Sequence, residues 1–344
     1  MLRRPVTILP LLVVLVACSP FGQVTDDDRQ WTDDYVEATR YDSDEAREKL
    51  AELAETAPND EKRRDAEFDK ARKALRAGDV EAARAGFQSL WDEQIDDNTA
   101  SRAIYELGRI AAEHDQDYDQ ARRLLHTAIV DTTPWAGSEL ALRFLVRTER
   151  NQQRYEPLVE KLQQLADDVE DDRMAAQLLL QRGKLLEDEL KRDEDALHAW
   201  RAAYDRCEDC AATDEALFRM GKLYARHQNW QPAVDALTIV ADRTQRSWFI
   251  GTYSSQRASD ARLLLGEIEM LHRSDFDAAR EHFEEFLSWF EDHSNAHHAA
   301  WHLVNIERLD GTERSYRHAL EQFIDDYPRS RYYDEAKRQL EEMT

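Results

Sequence analysis

Two groups of side chains have types and spacings that could support chemistry. Cys207-Glu208-Asp209-Cys210 sets two thiols three residues apart. Such a pair can close a local disulfide, stand as free thiols, act as a redox couple or supply half of a zinc site. A redox couple wants a helix N-terminus in a thioredoxin-like unit. A structural zinc needs two more ligands, and the chain has three cysteines and no second C-x-x-C. His293, His297, His298 and His302 make two i,i+4 pairs, the spacing at which two imidazoles on one helical face share a metal. They straddle a helix start near Asn295, and no nearby carboxylate is singled out as a third ligand. Solvated surface histidines are the plainer reading, and no metal is expected.

Other signatures of catalysis are missing from the sequence. It holds no G-x-S-x-G, no H-E-x-x-H, no Walker-type loop and no dinucleotide fingerprint. Acidic residues number 71 of 344, so no carboxylate pair stands out as a general acid and base. The expectation is a non-catalytic chain without a cofactor.

The elements that would carry these side chains repeat. Seven times a residue, usually aromatic, is followed three places on by a small one and four places further by a large apolar one. The sets are Val80–Ala83–Phe87, Tyr118–Ala121–Leu125, Tyr155–Leu158–Leu162, Asp193–Ala196–Trp200, Trp230–Ala233–Leu237, Phe276–Ala279–Phe283 and Tyr316–Ala319–Phe323. Their last members lie 38, 37, 38, 37, 46 and 40 residues apart. The 3 + 4 spacing puts each set on one helical face. A fixed period of this size implies an all-α solenoid of stacked helix pairs. In four units a glycine lies nine or ten residues upstream of the set, at Gly108, Gly183, Gly221 and Gly266. Glycine inside a helix costs about 1 kcal/mol against alanine, so its recurrence in register points to close helix–helix approach.

These residues resemble the tetratricopeptide repeat family. Leu217-Phe218-Arg219-Met220-Gly221-Lys222-Leu223-Tyr224, then Trp230, Ala233, Leu237 and Val240, is similar to the family's pattern across its A and B helices, without an insertion. The units at Gly108, Gly183 and Gly266 match with one extra residue in the A–B turn. The unit around Tyr155 is degenerate, with leucine for alanine and Pro157 near the start of its B helix, where proline is tolerated. The resemblance covers residues 61–344. It implies a right-handed α-solenoid of about seven helix pairs closed by a C-terminal capping helix from Tyr333 to Met343. The turn Tyr327-Pro328-Arg329-Ser330 is similar to one in periplasmic members of the family, among them the lipoprotein of the outer-membrane β-barrel assembly machine and a Tol–Pal-linked protein.

At the N-terminus, Leu2-Arg3-Arg4 precedes an apolar run, Val6 to Val16, too short to span a bilayer. Leu15-Val16-Ala17-Cys18 resembles the bacterial lipobox. The resemblance implies a cleaved signal peptide over 1–17, lipidation of Cys18, and residence in the outer membrane facing the periplasm, since no aspartate follows the cysteine. Cys207 and Cys210 are then an even remainder outside the cytoplasm, which favours a local disulfide. Loss of Arg3 and Arg4 leaves 44 of the 46 basic residues against 71 acidic ones, a net charge near −27. Nucleic acid is an unsuitable partner for such a chain.

Residues 18–60 read as an acidic linker with a short helix. Asp26-Asp27-Asp28 and Asp33-Asp34 mark a solvated tether from Ser19 to Thr32, and Ser43 caps a helix over Asp44–Thr56 with Leu50 and Leu53 on one face. Trp31, Tyr35 and Tyr41 are placed to dock this segment on the first repeat. The longest inter-repeat gap puts extra chain around Arg246–Arg257, where Trp248, Phe249 and Tyr253 either tuck onto adjacent helices or offer a contact loop.

The family's A helices line a concave groove that takes peptides. Arg109, Lys184 and Lys222 follow the repeat glycines by one place, with Glu267 as the exception, and Arg102 and Arg226 lie on neighbouring turns. They form a candidate basic stripe for an extended acidic segment or a C-terminal carboxylate; pairing with surrounding acids is the alternative. The expected function is a lipid-anchored scaffold for proteins or extended peptides of the cell envelope. An outer-membrane protein assembly subunit is the alternative, and an accessory to a peptidoglycan enzyme a weaker one.

Overall fold

The computed structural model of the chain describes residues 26–133, 136–247, 251–254 and 257–343. Cys18 and the lipobox lie outside them, as do Trp248 and Phe249. The chain divides into two compact units between Ile95 and Asp96.

The first unit holds α1 (Asp26–Arg40), α2 (Asp44–Glu55), α3 (Asp60–Arg76) and α4 (Val80–Asp92). The tether reading is corrected here: Asp26-Asp27-Asp28 form the first turn of a helix. Three carboxylates there complement the N-terminal end of the helix dipole, and the helix has a core to bind. Trp31 is 7% exposed, its Nε1 donates to the carbonyl of Leu53 at 2.9 Å, and its ring stacks on Tyr35. The Tyr35 hydroxyl reaches Asp69 of α3. Tyr41 does not dock; it is 66% exposed. Ser43 caps α2 by accepting from the Ala46 amide, and Leu50 and Leu53 are buried.

The second unit is a run of helix pairs: α5 (Asn98–Glu113) with α6 (Tyr118–Val130), α7 (Ala136–Asn151) with α8 (Tyr155–Asp168), α9 (Asp172–Asp188) with α10 (Asp193–Arg206), and α11 (Ala211–Arg226) with α12 (Trp230–Ala241). After an insertion come α13 (Ala258–Ile268) with α14 (Phe276–Trp289), then α15 (Ala296–Asp310) with α16 (Glu313–Asp326), and α17 (Tyr333–Glu342) packs on α16. Together with α3 and α4 these are the seven repeating pairs, and the fold is an all-α helical repeat. The insertion departs from helix: β1 (Thr244–Ser247) and β2 (Gly251–Ser254) pair as an antiparallel hairpin, with Tyr253 opposite Gln245.

Each of the four repeat glycines receives the large last member of the set on the following B helix. A Cβ built on Gly108 would lie 3.1 Å from Leu125, on Gly183 2.2 Å from Trp200, on Gly221 2.5 Å from Leu237 and on Gly266 2.6 Å from Phe283. Trp200, Leu237 and Phe283 are fully buried, and Leu125 is 1% exposed. In α3–α4 the roles are exchanged: Gly86 on the B helix faces Ala71 on the A helix. The small middle residues Ala83, Ala196, Ala233 and Ala279 are fully buried. The first residues of the sets do not fill the core as their aromatic character suggests. Most begin their helices and stay half-buried, and Tyr118 is 38% exposed.

Two residues before α4, α6, α8, α10, α12 and α14 the backbone turns left-handed, at Gly78, Gln116, Gln153, Lys191, Gln228 and Ser274. The extra turn residue of the glycine-108, -183 and -266 units is absorbed by widening the end of the A helix. Asp115 donates to Ile110 and Leu190 to Leu185, both five residues back, and Glu269–Arg273 is a full π-helical turn.

Candidate functional site

The A helices α9, α11 and the segment before α13 gather the main cluster of charges. Glu215 of α11 accepts from Arg219 at 3.0 Å and from Arg257 at 2.5 Å, and Lys184 of α9 stands 3.6 Å away. Burial alone would raise the Glu215 carboxyl; hydrogen bonds from Arg257 and Arg219 and the charge of Lys184 hold it below the usual carboxylate range. Burial lowers the Lys184 ammonium against the pull of Glu215. Phe218 is 8% exposed and carries two cations, with Arg257 5.2 Å and Lys222 5.6 Å from the ring centroid. A cleft of about 260 Å³ opens here, lined by Glu187, Asp188, Phe218, Arg219, Lys222 and Arg257 among others.

Lys184 and Lys222 are thus brought to one cluster. Arg226, at the far end of α11, pairs with Glu187 at 3.2 Å and Asp193 at 3.4 Å. Arg109 sits apart on α5, 3.2 Å from both Glu106 and Glu113, and Arg102 lies half-buried on the same helix. Along this face the basic residues are laced with acidic ones. Lys222 is exposed and meets the Phe218 ring.

Arg219 and Arg257 were not legible as members of this cluster. Arg219 lies three residues before Lys222 and so shares its helical face, a usable signal. Arg257 enters from the end of the insertion, which carries no register. Three more arginines, Arg143, Arg147 and Arg150, lie on α7, whose register the degenerate third unit conceals.

Cys207 and Cys210 are joined by a disulfide that closes the α10–α11 turn, with Cys210 at the N-cap of α11. Thr213 donates to the Cys207 carbonyl. Arg243 bridges the Glu208 carbonyl and Asp214. The four histidines separate. His293 packs edge-on to Phe286, and His302 stacks on Phe283, 3.3 Å from Glu267. His298 accepts at Nδ1 from Arg331 or Tyr332, beside His297. They are half-buried packing residues rather than solvated ones. Among the described residues no group of three or more His, Cys, Asp or Glu is placed to hold a metal ion. No described helix is long and apolar enough to cross a membrane.

Residues 215–243, the α11–α12 pair, match the tetratricopeptide repeat family. No curated protein matches the sequence significantly. Among solved structures the chain is similar to pilF of Pseudomonas aeruginosa, at 14% identity over 68% of this chain and 94% of that one, with a TM-score of 0.39. It is also similar to human IFIT1, solved as a dimer with PPP-AAAA, at 11% identity over 87% of this chain and 67% of that one, with a TM-score of 0.43. The tetratricopeptide domain of P58(IPK) is 14% identical over 92% of this chain and 89% of that one, with a TM-score of 0.29.

Proposed function

We propose that the protein is a lipid-anchored, non-catalytic scaffold that holds protein partners in the cell envelope. The observation that carries this reading is the second unit's run of glycine-nested helix pairs, whose A helices, with Arg257 from the end of the insertion, bring Lys184, Arg219 and Lys222 together around Phe218 and Glu215. Stacked pairs of this kind present an extended surface with side chains from successive units, and cations over a buried aromatic ring suit a partner's carboxylates. The lipobox resemblance at Cys18 supports anchoring, and the absence of an aspartate after it supports the outer membrane, facing the periplasm. The turn Tyr327-Pro328-Arg329-Ser330 favours, as a second reading, a subunit of an outer-membrane protein assembly complex.

Charge reversal tests the scaffold. Arg109→Glu, Lys184→Glu and Lys222→Glu together are expected to lower partner recovery from solubilised membranes, and wild-type recovery is expected to weaken as salt rises. A folded triple variant that recovers the same partners at both salt concentrations rules this face out.

A further inference from the structure

The third helix pair breaks the nesting rule. Val146 stands seven residues before the left-handed Gln153, as Gly221 stands before Gln228 and Ala71 before Gly78. On the facing helix Leu158 replaces the usual alanine. Branched side chains therefore occupy places where the α3–α4, α5–α6, α9–α10, α11–α12 and α13–α14 pairs keep a hydrogen or a methyl. The packing shows the result: α7 packs on α5 and α6, α8 packs on α9, and α7 and α8 touch sparsely. Beside α7 a cleft of about 300 Å³ opens, lined by Leu142, Arg143, Val146, Arg147, Arg150 and, from α9, Gln181 among others.

The floor of this cleft is apolar and its rim is cationic. Arg143 and Arg147 are 69% and 63% exposed, with Glu139 and Glu113 at 3.6 and 3.7 Å. Ion pairs that long and that exposed contribute little, so both guanidinium groups are free to exchange them for better carboxylates. Arg147 also lies 5.1 Å from the Phe144 ring centroid. Arg150 is engaged with Glu189 and is 41% exposed.

We propose that this cleft receives an acidic segment of a protein partner, with an apolar side chain seated on Leu142 and Val146 and flanking carboxylates taken by Arg143 and Arg147. The inference rests on the scaffold reading and adds a contact at the third repeat to the one at Lys222. Charge complementarity selects the occupant, because a bidentate guanidinium pair suits carboxylates. A nucleic acid meets the repulsion of a chain of net charge −25.

The test uses the full chain in detergent and fluorescence anisotropy with four probes: a peptide of repeated Glu-Glu-Leu, its Lys-Lys-Leu and Glu-Glu-Gly counterparts, and an oligothymidylate. The Glu-Glu-Leu peptide is expected to bind best. Its affinity is expected to fall tenfold or more in Arg143→Glu/Arg147→Glu and in Val146→Asp, and to hold in Arg123→Glu/Arg201→Glu, which reverse exposed arginines on the B helices α6 and α10. The arginine variant changes exposed side chains only, so it keeps the test valid if Val146→Asp unfolds. No binding to the wild type, equal binding to the folded arginine variant, or equal binding of the glycine peptide or oligonucleotide overturns the proposal. Binding that is lost in Lys184→Glu/Lys222→Glu but kept in the arginine variant overturns it while leaving the scaffold reading intact.

Discussion

At the scale of single residues, the glycines of the A helices carry a measurable hierarchy. Replacing Gly183 by alanine brings a methyl to 2.2 Å from the indole of Trp200, which is fully buried and donates to the Leu180 carbonyl. Overpacking of this kind costs about 1–3 kcal/mol, against about 1 kcal/mol gained in helix propensity. Gly183→Ala is expected to lower stability by up to about 2 kcal/mol. Gly108→Ala, whose methyl meets Leu125 at 3.1 Å, is expected to be near neutral. Urea unfolding of both variants checks the order, and equal effects would show that nesting is not what the glycines provide. Gly78 acts through backbone alone, since it has φ +86° and nothing within 4 Å of an added Cβ. Gly78→Ala should cost about 1 kcal/mol from the left-handed conformation. His298 supplies a pH dependence. Burial, then Arg331, His297 and His302, lower its imidazole from the ordinary 6.5, with Glu267 opposing. The folded state therefore favours the neutral ring, which accepts at Nδ1 from Arg331 or Tyr332. Its stabilising contribution is complete above pH 6.5 and is lost as the pH falls below that through the lowered folded value. Amide exchange in α17 is expected to quicken below pH 6.5 and to lose that dependence in His298→Gln. Unchanged dependence in the variant would remove His298 from the joint.

At the scale of elements, helix pairing was readable and its local variations were less so. The 3 + 4 sets and the four glycines name both sides of each contact, Gly221 with Leu237 and Gly266 with Phe283, because close packing leaves a trace in residue size. The extra turn residue was visible as a spacing, but its absorption into a π-helical turn at Glu269–Arg273 depends on backbone hydrogen bonds that composition does not encode. Asp26-Asp27-Asp28 misled because acidic composition fits both a solvated tether and a helix start; the buried face of Trp31 and Ala38 decides between them. The hairpin follows a period break that located the insertion without giving its form. The groove residues follow from register, which is why Arg143, Arg147 and Arg150 escape it: the third unit has Val146 where the repeat glycine would stand. Two measurements belong to this scale. Ala233→Trp should open the α11–α12 pair and lower the unfolding midpoint, since Ala233 is fully buried; an unchanged midpoint would place it off the interface. Amide exchange should be faster across α7 and α8 than across α9 and α10, where Gly183 and Trp200 nest. Equal protection would show that the third pair is as firmly joined as the rest.

At the scale of the whole molecule, acidic charge and paired cations favour a protein partner reached through arginine and lysine on the A helices. Anchoring through Cys18 would hold that surface at a membrane. Cys18→Ser is expected to abolish labelling by a palmitate analogue in cells and to release the chain from the membrane fraction, because acyl chains supply the hold; equal labelling of variant and wild type would end the anchoring proposal. The scaffold itself is tested most directly by site-specific photo-crosslinking in intact cells. One photoreactive residue replaces exposed Lys222 on α11 and another replaces exposed Arg201 on α10, a B helix. The account predicts discrete protein adducts from position 222 that are weak or absent from position 201 and that diminish when Lys184 and Arg109 are reversed in charge. Adducts of equal yield from both positions, or none from position 222, would contradict it.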